Sequence, residues 1–247
     1  MTGRSTRRFG VSLAGALIAF SAATAAEAGT MQVSPVLIDA VGQQTATLHL
    51  RNTGDSPLTA QIRVFRWSQT AAGEEHLEAT EDVAASPPMA SLGSRADYVV
   101  RLVRQNEKPA AGEESYRVFI DELPNPQNRV NGVMLVIRQS IPVFFAGRER
   151  QPAKVTWRIE TAGGKPVLVG TNAGDRRIRI SELKLRDDRG AEVSFGGGLR
   201  GYVLGHSTVR WKPAQGGDIG KLRGHVFVDA TTEGGAIHVA LEATTPQ

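Results

Sequence analysis

The sequence predicts an all-β protein built as two β-sandwich domains. Three observations carry that reading. Apolar and polar residues alternate with a period of two along most of the chain. Clusters of Gly, Pro, Asn and Asp separate the alternating runs at fairly regular intervals. No window of useful length carries a capped i, i+3, i+4, i+7 stripe. With 247 residues, 40% hydrophobic and 22% charged, the chain is long enough for two cores.

Residues 1–28 read as an export leader. Arg4, Arg7 and Arg8 precede an apolar stretch over 11–26, and Ala26-Glu27-Ala28 is an A-x-A cleavage pattern. Phe9 follows the arginine pair directly, which favours ordinary secretion over a twin-arginine route. An uncleaved anchor is the alternative, and no other segment reaches the length of a membrane span. Cleavage leaves 219 residues with 26 basic and 24 acidic side chains and no Lys/Arg run. That balance gives no footprint for nucleic acid. The chain has no Cys, so an exported form relies on its apolar cores and has no thiol chemistry.

The first domain is placed at 29–148. Over 45–51, Ala46, Leu48 and Leu50 share one face. Over 58–64, Leu58, Ala60 and Ile62 do the same; Phe65 and Trp67 then break phase, which predicts a bulge. Further strands follow at Ala96-Tyr98-Val100-Leu102 and at Tyr116-Val118-Ile120. Turns are expected at residues 52–57, 86–88 and 124–126. Charge and Pro at 146–152 mark the boundary, and 149–247 forms the second domain. Its strands are expected at 155–159, 167–170, 178–185, 202–211, 225–229 and 237–241, with Gly-rich turns at 196–198 and 216–217. Short strands at this spacing indicate immunoglobulin-like sandwiches without the usual cysteine pair.

One strand departs from the alternation. Residues 133–137 are apolar on both faces, and the run extends to Phe145, longer than the usual strand of about 5–6 residues. As the last strand of its domain it is expected at a sheet edge, where an apolar outer face invites pairing. Burial against the second domain and binding to a partner are both open from the residues alone.

Chemistry is sparse. No two of the five histidines fall within five residues, there is no G-x-S-x-G, and no P-loop lysine follows a glycine cluster. Glu113-Glu114 and Asp121-Glu122 are adjacent strand pairs whose members point to opposite faces, so neither pair converges on one reacting atom. No catalytic residue, metal site or cofactor is expected.

Ser34-Pro35-Val36, Asn52-Thr53-Gly54, Trp67-Ser68-Gln69, Ser86-Pro87-Pro88, Arg101-Leu102, Tyr116-Arg117, Glu122-Leu123-Pro124 and residues 138–145 follow one another over 31–147. In this order and spacing they resemble the periplasmic chaperones of the chaperone–usher pilus pathway. The resemblance implies two immunoglobulin-like domains with a cleft between them, in the periplasm. It also implies that the long strand completes a pilus subunit lacking its own last strand, before delivery to an outer-membrane usher. Val133, Leu135 and Ile137 would be donated, with Met134 and Val136 facing inward; the opposite phase is the alternative. The loop 125–131 would be ordered by the subunit. Many family members anchor the subunit's carboxylate with two basic residues, and the alignment puts Pro35 and Pro142 at those positions. Arg138 and Arg117 are the substitutes, as subunit-binding residues or as plain surface or interface arginines. Glu122 matches a position that, in the family, helps hold the domains together; its partner is left open, with Arg148 one candidate. Expected partners are pilus or surface-structure subunits and the usher, without membrane insertion; pairing of the free protein with itself is left open. The rival is an exported binding or adhesion module using Trp157, Tyr202 and Trp211 at loops.

Overall fold

The computed structural model describes residues 31–70, 72–108, 110–123, 136–149 and 151–241. The leader, the loop 125–131 and the positions Val133, Met134 and Leu135 lie outside the described residues. Among those described, the fold is eighteen strands and one short 3-10 turn, Ile219–Lys221. None of their helical segments is long and apolar enough to cross a membrane.

The first sandwich contains β1 (Met31–Ser34), β2 (Ile38–Val41), β3 (Thr45–Asn52), β4 (Leu58–Gln69), β5 (Glu75–Ala79), β6 (Val83–Ser86), β7 (Met89–Leu92), β8 (Asp97–Arg104), β9 (Glu113–Leu123) and β10 (Arg138–Ala146). One sheet runs β1-β3-β8-β6 and the other β2-β10-β9-β4-β5, with β7 also on β4. The alternate apolar residues read from the sequence fill the space between them. Leu48, Leu50, Val100, Leu102, Tyr116, Val118 and Ile120 are all fully buried. Burial of this kind is worth about 1.5–3 kcal/mol per large side chain, which is what selects the register.

The first strand changes sheets. β1 pairs antiparallel with β3. After the cis Ser34–Pro35 bond, β2 pairs parallel with the end of β10. Asn52 sits buried at the turn after β3, where its amide donates to the carbonyls of Ser56 and Gly93 and its Oδ1 accepts from Gly54 N–H. That satisfies a tight turn, as its Asn-Thr-Gly signal suggests.

The second sandwich contains β11 (Val155–Ala162), β12 (Lys165–Asn172), β13 (Ile178–Asp187), β14 (Glu192–Ser194), β15 (Leu199–Val203), β16 (Thr208–Trp211), β17 (Val226–Thr232) and β18 (Gly235–Ala240). Its sheets run β11-β12-β16 and β14-β13-β17-β18, with β15 also on β13. The strand expected over 202–211 is two strands, because a turn through His206 with positive φ intervenes.

The bulge expected at Phe65 is absent. β4 pairs with β9 in unbroken register from Thr59 to Arg66. Its phase change has another cause: from Phe65 onward the apolar residues lie on the outer face, and Trp67 is buried there against the second sandwich.

Candidate functional site

β10 carries two different edges. β9 lines its whole length, from Arg138 opposite Asp121 to Ala146 opposite Glu113. On the other side, β2 pairs with Val143 to Ala146. Alongside residues 138–142 no described strand completes the sheet; the Gln139 side chain reaches across at 2.8 Å to the Met31 carbonyl. An open half-strand of this sort is a template for an added strand.

Alternation along β10 fixes its faces. Ile141, Val143 and Phe145 enter the first core. Ile137 shares their parity and is half-buried, with its carbonyl accepting from Glu122 N–H at 3.2 Å. Val136 is 50% exposed, which corrects its expected inward position: the core face is the one bearing Ile137. Val133 and Leu135 have the same parity in sequence but lie outside the described residues.

The outer face of this sheet is a ladder of arginines and aromatic rings. Pro142, Arg117 and Phe65 occupy one cross-strand row, and Ser140, Phe119 and Arg63 the next. Arg117 lies 3.8 Å from the centre of the Trp67 ring and 3.4 Å from Glu75 Oε1. Arg138 sits over Phe119 at 5.1 Å and donates to Asp121, which also accepts from Arg63. Burial pushes the Asp121 carboxyl up, but the two guanidinium hydrogen bonds outweigh it and hold it below the usual carboxylate range. Arg63, Asp121, Val136, Ile137 and Arg138 line a surface groove of about 410 Å³ formed by β4, the end of β9 and the start of β10. Both proposed substitute arginines therefore lie on one face. Arg138 is the more exposed, at 56% against 16% for Arg117. Pro142, buried directly opposite Arg117, has no N–H to offer.

The joint between the sandwiches lies at the other end of this face. Trp67, Phe144, Tyr202 and Leu204 form a buried cluster, with Tyr202 edge-on to Trp67 at 5.5 Å. The Gln69 amide donates to the Tyr202 carbonyl and accepts from Leu204 N–H. Arg177 lies 3.5 Å over Phe144 and pairs with Glu113 at 2.6 Å, the two side chains being 5% and 1% exposed. Asp39 is 3.3 Å from Arg177. Gly73, at φ +84°, lets the β4–β5 turn rest on β16; a Cβ there would lie 2.9 Å from the Arg210 nitrogen.

The bridging acid is thus Glu113, not Glu122. Glu122 is at the opposite end of the eleven-residue β9 and shares a row with Ala60 on the core side. Arg148 lies over the Gly42 turn of the first sandwich. Glu113 was findable: it has the parity opposite to Tyr116, Val118 and Ile120. What the sequence did not reveal was its partner, 64 residues away.

Trp157, Tyr202 and Trp211 are all buried, at 4–5% exposure, so the loop-tip recognition expected of the rival module lacks its side chains. No group of three or more metal-ligating residues is found among the described residues.

Residues 30–150 match the family described as pili and flagellar-assembly chaperone, PapD N-terminal domain. No curated protein matches the chain significantly. Among solved structures, a chaperone–tip adhesion subunit pre-assembly complex from archaic Csu pili of Acinetobacter baumannii aligns at 23% identity and TM-score 0.66, over 86% of this chain and 98% of that one. The complex of SafA pilin with SafB chaperone from Salmonella enterica aligns at 16% and 0.61, over 88% and 99%. The E. coli chaperone DraB aligns at 21% and 0.58, over 87% and 97%. These likenesses cover both sandwiches and establish the two-domain immunoglobulin-like fold.

Proposed function

Residues 30–150 of this chain belong to the family of pili and flagellar-assembly chaperones, which is not a family of enzymes, and from that premise we propose that the protein is a periplasmic chaperone for exported pilus or surface-structure subunits. It holds each subunit by donating a strand and delivers it to an outer-membrane usher.

The observation that carries this reading is the half-open edge of β10. A subunit strand laid along residues 138–142 extends the sheet where β2 stops, its main-chain groups pairing with the unpaired edge. Because Ile137 continues the face of Ile141, Val143 and Phe145, the same side chains that close the first core run on into the subunit's open groove. Val133 and Leu135 extend that set by parity. Arg138, beside the groove, is the better placed of the two arginines to meet a subunit carboxylate, and Arg117 stands behind it on Trp67. No cofactor enters: folding of the subunit after release supplies the drive. The neighbours solved with a pilin or a tip adhesion subunit support the reading.

The test is recovery of the subunit with tagged chaperone from the host periplasm, read by native mass spectrometry. A one-to-one complex is expected with the parent and none with Leu135→Asp/Ile137→Asp, whose melting temperature stays at the parent's. Undiminished recovery with the folded double variant overturns strand donation.

A further inference from the structure

We propose that Glu75 is a built-in competitor of the subunit: its carboxylate holds Arg117 turned away from the open edge of β10, and subunit binding has to displace it. The proposal rests on the reading of Arg117 as a subunit-binding residue and concerns how that residue is kept in the free protein.

The sheet order β10-β9-β4-β5 puts Arg117 between two directions it can take. On β9 it stands opposite Pro142 of β10 on one side and Phe65 of β4 on the other. Its side chain goes toward β4. It crosses that strand over Trp67, with the guanidinium 3.8 Å from the ring centre, and reaches Glu75 Oε1 on β5 at 3.4 Å. Glu75 pairs with Gln69, further along β4 than Phe65 and nearer the joint, so the guanidinium is drawn toward the joint as well. The open edge lies beyond β10, on the opposite side of β9. An arginine held in this direction cannot meet a carboxylate at that edge without letting Glu75 go.

The grip suits displacement. A contact of 3.4 Å is long for a hydrogen bond to a carboxylate, and Glu75 is 50% exposed. Exposed pairs of this kind shift an equilibrium by at most about fivefold. Arg138 is held differently: its acid, Asp121, is 13% exposed and also accepts from Arg63 at 2.7 Å. Glu75 is therefore the carboxylate that yields. While the edge is empty it supplies the anion that a mostly buried cation needs. The subunit then supplies another, so the cation on the Trp67 ring is not left bare at either stage.

Parent and Glu75→Ala, differently tagged and expressed together at equal levels in the host periplasm, compete for one subunit, and native mass spectrometry reads the two complexes. Glu75→Ala is expected to take about two- to fivefold more subunit at an unchanged melting temperature. With Arg117→Gln in both chains the shares should become equal. A second reading is the Arg117 Nε–H resonance, assigned by its loss in Arg117→Gln. The Trp67 ring shifts it in the free protein, and that shift is expected to vanish in the recovered complex. A Glu75→Ala share equal to or below the parent's overturns the proposal. So does an advantage that persists without Arg117, or an Nε–H shift unchanged in the complex. In each of these cases a complex has been recovered, so the chaperone reading stands. A parent that recovers no subunit overturns that reading, and this proposal with it.

Discussion

Glu113 and Glu114 are neighbours in sequence and serve opposite sides of one sheet. Glu113 leaves the outer face for Arg177, whereas Glu114 lies on the inner face and takes two hydrogen bonds of 2.7 Å from Arg104. Arg104 also donates to the carbonyls of Asn106 and Lys108, pinning the loop that follows β8. Alternation along the strand was legible and assigned the two carboxylates to different faces. It could not supply their partners, because an ion pair is a meeting of distant segments rather than a local pattern. Arg104's hydrogen bonds, opposed by burial, hold the Glu114 carboxyl below its usual value of 4.5. A depressed carboxylate contributes stability that is fully present above the unfolded value and lost as pH falls through the folded one. Glu114→Gln is therefore expected to lower the urea midpoint at pH 7, with the gap to the parent closing as pH drops below about 4.5. A gap that is constant from pH 7 to pH 3 would mean that the charge on Glu114 contributes nothing.

At the scale of the element, the run 133–145 was the one the sequence singled out. Residues 133–135 of its doubly apolar start lie outside the described residues, and its end, within β10, is apolar on both faces for two local reasons. Phe144 and Pro142 are buried on the outer face, Phe144 within the joint, while Ile141, Val143 and Phe145 fill the first core. The sequence could not separate these faces, since both are apolar and only tertiary contact distinguishes them. The same ambiguity made β4 read as bulged: an outer face that turns apolar because it meets a second domain looks like a slip in register. Short strands such as β6 and β7, four residues each, fall below the length at which alternation is readable. The division of β10 also predicts different costs along it. Ile141→Ala should destabilise the protein by about 2–5 kcal/mol, as a cavity in a packed core does. Ile137→Ala should leave the chemical-denaturation midpoint near that of the parent while weakening subunit recovery. Equal loss of stability at both positions would show that the core extends to Ile137 in the free protein.

At the scale of the whole molecule, the sequence supplied two β-rich halves and the charge-and-proline break between them, but not the joint, whose contacts join β2, β4, β9 and β10 to residues 175–177 and 202–210. That joint fixes where the open edge of β10 stands relative to the second sandwich. At its centre, Glu113 and Arg177 are an ion pair almost without water, and such a pair is strongly context-dependent. Its removal from one side leaves an uncompensated buried charge, at a cost of about 3–5 kcal/mol, whereas replacing both partners with apolar groups is close to neutral. Arg177→Met should therefore split unfolding in scanning calorimetry into two transitions, one for each sandwich, as the stranded Glu113 forces water into the joint. Glu113→Leu/Arg177→Met should recover a single transition, because Phe144, Trp67 and Tyr202 still pack there and Gln69 still bridges to Tyr202 and Leu204. If the double variant unfolds in two steps like the single one, the aromatic cluster cannot hold the sandwiches together without the ions. The relative orientation of the sandwiches would then depend on the charges around Arg177 and not on packing.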